Sequence, residues 1–414
     1  MTFVLRRTYF YEPDLNTISL NENVTILNLP VVGITAVAME SVMNSWLKRN
    51  MVNTALNSAI DSYDEHPFLT LTVGQLLFDG KNIQFMSHID SLLKTFSIEI
   101  KDMPPGGNFS LFAVKNGTFE GKYTAKTGTK KLNEIGQVIK WNGESKLNCW
   151  EGDKCNEIKG TEGLMFHPFL SRNETLLAFG PELSRSLALK YDKDNSIHGI
   201  PTYRYIISND FTEAPRYSNI TDCFCYFESD PIDLCKYTAL FDMRRCLSGA
   251  PLVLSLPHFY MSNESLIKSV NGMSPSTDKH ETFLNLDPLT GFTLSARKAL
   301  QMNVFIKQSY GITILDKLPT GFYPLLWMQE GATVPKHMVQ ELKSMLHDKI
   351  DLFEKVLYSL LFLGIIFVLI SLIMLYITIK RTIIDLLIIQ FDLIRAKSDE
   401  FDKITSIKRT FIRI

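Results

Sequence analysis

The stretch VLYSLLFLGIIFVLISLIMLYITI, from Val356 to Ile379, decides how the rest of the chain is arranged. It holds 24 residues and contains no Asp, Glu, Lys, Arg or His. At about 1.5 Å per residue, a helix of this length reaches roughly 36 Å, against a hydrocarbon core of about 30 Å. Core helices of soluble proteins, the alternative, seldom run this long without charge. The stretch therefore predicts a transmembrane helix.

The 35 residues after this span carry eight Lys and Arg residues. Such an excess beside a span marks the cytoplasmic side of the membrane. We therefore predict an extracellular domain at 1–355, a membrane helix at 356–379 and a cytoplasmic tail at 380–414. The apolar segment from Thr382 either continues the membrane helix or lies along the cytoplasmic surface as an amphipathic segment.

Two further patterns place the long part outside the cell. All six cysteines fall within 149–246, which indicates a disulfide-rich region in an oxidising compartment. N-x-S/T sequences mark acceptors for glycans on secreted chains. The six acceptors, all before the span, are Asn23, Asn108, Asn116, Asn173, Asn219 and Asn263.

The start of the chain conflicts with this topology. Arg6 and Arg7 interrupt the first apolar run, so it lacks the apolar core of a signal peptide. Either the long part is cytosolic or the chain lacks its beginning. The glycan acceptors, the clustered cysteines and the basic tail favour a missing beginning, and we expect a further membrane helix upstream.

Composition and motifs exclude several functions. A formal charge of -1 and a pI near 6.7 provide no long-range field for nucleic acid. Because G-x-S-x-G, H-E-x-x-H and P-loop patterns are absent, we predict no enzyme, no cofactor and no metal. His258 and His167 lie beside aromatic residues, where each can act as a base or as a hydrogen-bonded structural histidine.

Local patterns predict strands with inserted helices. TILNLPVVG from Thr25 is a strand-like run, and residues 35–60 have the helical spacing of two short helices, with Lys48 and Arg49 at the turn between them. Residues 96–101 and 300–307 alternate as half-buried strands. Hairpin turns are predicted at PPGG (Pro104), KNG (Lys115) and WNG (Trp141). A helix from Val334 can run on into the membrane helix.

Several separated motifs carry a family resemblance. They are NCWEGDKCNEIKGTEG from Asn148, GIPTYRY from Gly199, CFC at Cys223, GAPLVLSLPHFY from Gly249, HETFLNLDPLTGFTL from His280 and ARKALQMNVFIK from Ala296. In this order they resemble the class B scavenger receptors, the CD36-like family. TILNLPVVG and LLFDG at Leu76 are similar to the insect sensory neuron membrane proteins.

The resemblance implies an α+β fold and a function. The fold is a large antiparallel β-barrel-like ectodomain with an apical helical bundle at about 35–65, an internal hydrophobic tunnel and a membrane helix at each end. The function is a plasma-membrane receptor that passes fatty acids, pheromones or other lipids to the bilayer or to an odorant receptor. A general scavenger receptor for lipoproteins, microbes or apoptotic cells is one alternative, and a membrane-tethered ectoenzyme is another.

The resemblance also bears on the cysteines, which by number alone allow 15 connectivities. It implies bonds from Cys155 to Cys223 and from Cys225 to Cys235. Its third bond would join Cys246 to the position of Ser184, so we hypothesise a bond from Cys149 to Cys246 instead. A zinc site is the alternative, but the spacing lacks the paired C-x2-C geometry.

Candidate ligand-binding residues lie in the predicted apical helices. Basic residues there contact ligands in the family, and Lys48 and Arg49 are the nearest counterparts; a solvated basic turn is the alternative. Trp46, Met39 and Met43 either line an apolar mouth or belong to the core.

Overall fold

The computed structural model describes residues 1–15, 17–100, 105–113, 115–226, 232–308 and 311–410, and for residues 15, 105 and 401–410 the backbone alone. The chain forms two compact units, Met1–Val339 and Gln340–Ile414. The first unit contains the sheets, and the second consists of helix.

Fifteen strands and nine helices form in the described ranges. The strands are β1 (Thr2–Arg6), β2 (Asn23–Leu27), β3 (Phe68–Thr72), β4 (Lys81–Asn82), β5 (Asn108–Phe109), β6 (Phe119–Ala125), β7 (Val138–Trp141), β8 (Thr175–Gly180), β9 (Arg185–Ile197), β10 (Ile200–Ile207), β11 (Leu240–Asp242), β12 (Leu252–Ser255), β13 (Phe283–Leu286), β14 (Thr293–Ile306) and β15 (Gly321–Thr333). The helices are α1 (Leu29–Ser41), α2 (Trp46–Ser62), α3 (Gln84–Thr95), α4 (Gly152–Asn156), α5 (Asn209–Thr212), α6 (Glu264–Lys268), α7 (Thr277–His280), α8 (Lys336–Leu342) and α9 (Asp348–Thr410).

The large sheet is antiparallel and has the order β11-β12-β14-β13-β10-β9-β8. Strands β12 and β13 pair with different parts of β14, and β15 pairs with β14 along most of its length. The predicted strand in residues 300–307 is confirmed through Ile306, but it is not half-buried, because Gln301 and Asn303 are buried as well. Their amides satisfy each other, since Gln301 Nε2 donates to Asn303 Oδ1 at 2.7 Å.

A smaller sheet has the order β1-β6-β7, and the predicted hairpin turn at Trp141 is confirmed beside it. Asn142 and Gly143 both have positive φ, and the Trp141 and Glu144 backbones exchange hydrogen bonds of 2.9 and 3.0 Å.

The other two hairpin predictions are wrong for the described residues. The turn at Lys115 leads into β6 but follows no strand that β6 pairs with. Pro104 lies outside the described residues. The 3-10 turn Pro105–Gly107 leads into β5, but β5 pairs with β4, which lies before α3, so the turn does not join two paired strands.

The two helices predicted in residues 35–60 are confirmed as α1 and α2, but their boundaries differ. Lys48 and Arg49 lie in the first turn of α2 rather than between the helices, because Ser45 caps α2 and accepts a hydrogen bond from Lys48 N at 3.4 Å. The strand predicted at TILNLPVVG ends at Leu27. Asn28 caps α1, and Pro30 occupies its first turn.

The strand predicted for residues 96–101 is wrong up to residue 100, and Lys101 lies outside the described residues. Phe96 instead ends α3, and the amides of Ser97 and Ile98 bond to the last carbonyls of that helix. The apolar residues Phe96 and Ile98 belong to a core that α1, α2 and α3 share. Their alternation reflects helix termination rather than a strand.

The helix predicted from Val334 is confirmed and continues through the apolar stretch. It runs without a break from Lys336 to beyond Glu400, with one wide turn at Lys343–His347. The segment from Thr382 therefore continues this helix. In the part of the chain that is described, this is the one helix long and apolar enough to cross a membrane.

Candidate functional site

A cavity of about 410 Å³ lies in the first unit where the two larger sheets meet. Strands β12, β14 and β15 supply one wall, and β6 with the turn Pro181–Leu183 supplies another. Its volume falls within the range of about 300–1,000 Å³ typical of small-molecule sites. The cavity can therefore hold a ligand of ordinary size.

Most of the lining is apolar. Residues two apart on a strand point to the same face, and such pairs on β12 and β14 face the cavity. The main apolar side chains are Met243, Leu252, Leu254, Leu300, Met302 and Met328. Three are methionines, whose flexible side chains adapt to ligands of different shape.

One side of the cavity carries five charged residues, here named the ionic ring: Arg7, Glu120, Glu182, Lys298 and Glu330. Arg7 is its hub, since its guanidinium lies 2.9 Å from Glu120 Oε2 and 3.1 Å from Glu182 Oε1 and also contacts Glu330. Lys298 Nζ donates to Glu182 Oε1 at 2.6 Å. The ring thus connects β6, β14, β15, the Pro181–Leu183 turn and the segment after β1.

The pKa values of the two inner carboxylates, Glu120 and Glu182, are shifted in opposite directions. Burial raises the pKa of Glu120, the neighbouring charge of Glu182 raises it further, and Arg7 only partly opposes both. Burial alone would also raise the pKa of Glu182, but the charge and hydrogen bond of Lys298 outweigh it and lower the pKa to about 2. Glu182 is therefore ionised at neutral pH.

An aromatic cluster packs behind the apolar wall and encloses Arg185; we name it the Arg185 cage. The Arg185 guanidinium carbon lies 3.9 Å from the ring centroid of Phe224, 4.8 Å from Trp150 and 5.1 Å from Phe241. Only 3% of Arg185 is exposed, and its Nε donates to Leu183 O at 3.2 Å. Aromatic faces stabilise this cation where water does not reach it.

Three disulfide bonds hold this part of the chain. They are Cys149–Cys246, Cys155–Cys223 and Cys225–Cys235, the pairs that the sequence analysis arrives at. Next to Cys149, the Trp150 indole donates to Ser184 O at 2.5 Å. The segment carrying Cys149 therefore lies beside Ser184, whose position the family pattern assigns to a cysteine.

The candidate ligand residues of α2 do not line this cavity. Trp46 is 76% exposed and Met43 is 42% exposed, so neither is core, whereas Met39 is buried. Lys48 is also exposed, and Arg49 is half-buried. Met43 precedes α2, and Trp46, Lys48 and Arg49 lie at its start; we name these four residues the α2 face.

The two candidate histidines make structural contacts and are not part of the cavity lining. The His258 ring stacks on His280 with centroids 4.5 Å apart, and its Nδ1 accepts from Ser274 N at 3.1 Å. His167 Nε2 lies 3.0 Å from Glu174 Oε2. Within the described ranges, no group of three or more His, Cys, Asp or Glu residues is arranged to hold a metal ion.

The predicted glycan acceptors lie on the surface of the first unit or partly within it. Four are exposed, at Asn23, Asn108, Asn173 and Asn219. Asn116 and Asn263 are half-buried and use Oδ1 as an acceptor, for Tyr9 N and Thr238 N respectively. Glycosylation at Nδ2 leaves both of these hydrogen bonds possible.

Sequence reasoning missed the ionic ring. Its members are separated by dozens to more than a hundred residues, and no local pattern joins them. A prediction of the pairing of β14 with β15 would have placed Lys298 directly opposite Glu330 and so identified two members of the ring.

A family model matches residues 1–375 of this chain and describes the CD36 family. The chain belongs to the CD36 family. It is 28% identical to lysosome membrane protein 2 of Homo sapiens over 367 residues, which cover 88% of this chain and 71% of that protein. It is 32% identical to sensory neuron membrane protein 1 of Aedes aegypti, with 83% of this chain and 63% of that protein covered.

Scavenger receptor class B member 1 of Mus musculus is also similar, at 30% identity over 81% of this chain and 61% of that protein. The family resemblance read from the motifs is thereby confirmed. By name, the first two of these relatives are membrane proteins and the third is a receptor.

Proposed function

We propose that this chain is a membrane receptor that binds apolar ligands in the described cavity and passes them to the bilayer or to a neighbouring receptor. The folded unit lies outside the cell at the plasma membrane, the stretch 356–379 crosses the membrane, and residues 380–414 form the cytoplasmic tail. A barrel, an apical helical bundle at about 35–65 and a tunnel leading from the cavity are parts of this proposal. Pheromone detection beside an odorant receptor is its most specific form.

The cavity carries this proposal. Its apolar wall can bury the chain of a lipid, at roughly 0.8 kcal/mol for each CH2 removed from water. The ionic ring places polar groups at one side, where they can orient a head group. Membership of a receptor family supports the same conclusion.

A substitution that fills the cavity tests the proposal. Met328 lines the cavity from β15, and its neighbour Gln329 is exposed. We expect Met328→Trp to reduce binding of a radiolabelled long-chain ligand by about ten-fold or more, because the indole occupies ligand volume. Gln329→Trp is the matched control and keeps binding. Equal binding by both variants would place the ligand elsewhere.

The α2 face supports a second candidate, a scavenger receptor for anionic particles. Its exposed Trp46 and Met43 are close in sequence to Lys48 and Arg49. Residues 41–60 contain no acidic residue. Apolar and basic groups together favour anionic lipid surfaces. Uptake of anionic lipid particles that Lys48→Glu abolishes and Met328→Trp leaves unchanged would favour this candidate.

A further inference from the structure

We propose that the cavity accepts long-chain ligands with an uncharged, hydrogen-bonding head group, such as an alcohol or an ester, and discriminates against the carboxylate of a fatty acid. This inference rests on the proposed function, because it concerns head-group selection in the same cavity. The ionic ring is the feature that selects.

The cations of the ring are already engaged. Arg7 contacts all three carboxylates of the ring, and Lys298 contacts Glu182 and Glu330. A ligand carboxylate must therefore compete with a protein carboxylate for either cation. Lys115 also lines the cavity, but it is exposed, and solvent weakens the attraction of such a residue for an anion.

The ring also has three carboxylates for two cations. The side chains of Glu120 and Glu182 are only 18% and 25% exposed, so water screens their charges incompletely. Burial first, and then the neighbouring charge of Glu182, raise the pKa of Glu120, so a negative charge placed beside these two carboxylates meets both desolvation and repulsion. A ligand carboxylate would add a fourth carboxylate.

An uncharged head group avoids this repulsion and still finds partners. An alcohol O–H can donate to a ring carboxylate, whereas an ionised ligand carboxylate has no donor. Thr118 and Ser184 also line the cavity. Burying a hydroxyl that keeps its hydrogen bonds costs far less than burying a charge.

A competition experiment tests the inference on the full chain in amphipol, after removal of lipid. Tetradecanol and tetradecanoate with different isotope labels are mixed in equal amounts at about pH 8, where the carboxyl is ionised. Bound ligand is then quantified by mass spectrometry and corrected with protein-free particles. We expect about ten-fold more bound alcohol than carboxylate. Equal binding, or an excess of carboxylate, overturns the inference.

Two variants test whether the charge of the ionic ring causes the preference for the alcohol. Glu330→Gln leaves two carboxylates for two cations, and we expect it to lower the ratio of alcohol to carboxylate by about five-fold. Glu264→Gln, an exposed charge on α6 that pairs with Lys268, is the matched control and leaves the ratio unchanged.

The failures of the two proposals are distinguishable. If neither ligand binds above the level of Met328→Trp, the proposed function fails. If both ligands bind and Met328→Trp blocks both, but the wild-type ratio is near one, only the head-group inference fails.

Discussion

The ionic ring and the Arg185 cage stabilise an arginine in two different ways. Arg7 lies against three carboxylates with 31% of its side chain exposed, whereas Arg185 is buried among three aromatic rings. Salt acts more strongly on the partly exposed ring than on the buried cage, and burial lowers the pKa of Arg185 to about 9. The cavity therefore has an apolar wall that packs against the buried cage and a charged wall formed by the ring.

The largest expected effect comes from the disulfide beside the cage. Replacing Cys149 and Cys246 with serine should lower the free energy of unfolding by about 3–4 kcal/mol, because the bond closes a long loop. Cys155–Cys223 lies within that loop and keeps it partly closed, which places the effect below that of an isolated loop of this length. Chemical unfolding of the full chain measures it.

The double variant should leave the alcohol-to-carboxylate binding ratio unchanged, because the ionic ring stays intact. A loss of stability below about 1 kcal/mol would show that the bond contributes little to the stability of the region around the Arg185 cage.

The next effect is the loss of the caged arginine. Arg185→Ala should destabilise the protein by about 3 kcal/mol, because it empties a packed site and removes the contacts with Trp150, Phe224 and Phe241. Arg185→Met keeps most of the volume and should cost less than about 1.5 kcal/mol. Thermal unfolding at two salt concentrations measures both variants, and a strong salt dependence would contradict the separation of cage and ring.

The smallest expected effect is on protein stability when a carboxylate of the ionic ring is neutralised. Glu182 and Glu120 are expected to act in opposite directions. Glu182 has a lowered pKa, so its stabilisation is present above its unfolded pKa of about 4.5 and is lost as pH falls through about 2. Glu120 has a raised pKa, so stability is greatest below its unfolded value and falls as pH rises through the folded one.

At about pH 7, Glu182→Gln should therefore destabilise the protein by about 1 kcal/mol, and Glu120→Gln should stabilise it by less than that. Unfolding midpoints measured between about pH 2 and 7 check both signs. Destabilisation by Glu120→Gln at neutral pH would show that its ion pair with Arg7 outweighs the repulsion from Glu182.

The sequence predicted elements whose signals are local. The apolar span, the helix that leads into it, the strand ending at Ile306 and the turn at Asn142 and Gly143 all depend on neighbouring residues. Helix α3 was not predicted, although Phe85, Ile89 and Leu93 repeat at a spacing of four.

The cavity could not be predicted, because it depends on register and on long-range contacts. Arg7 and Glu330 lie at opposite ends of the first unit's sequence and meet only through the pairing of β1 with β6 and of β14 with β15. The exposure of Trp46 was equally inaccessible, since an apolar residue on a helix is compatible with core and surface alike.

The uninterrupted helix from Lys336 to Glu400 has a mechanical consequence. At about 1.5 Å per residue its 65 residues extend over roughly 98 Å, about three times the thickness of a hydrocarbon core. No proline interrupts it between Lys336 and Glu400, so its ready point of bending is the wide turn at Lys343–His347. Beyond that turn the helix is a continuous rod, and a twist imposed at one end of it is transmitted to the other without any change in helix length.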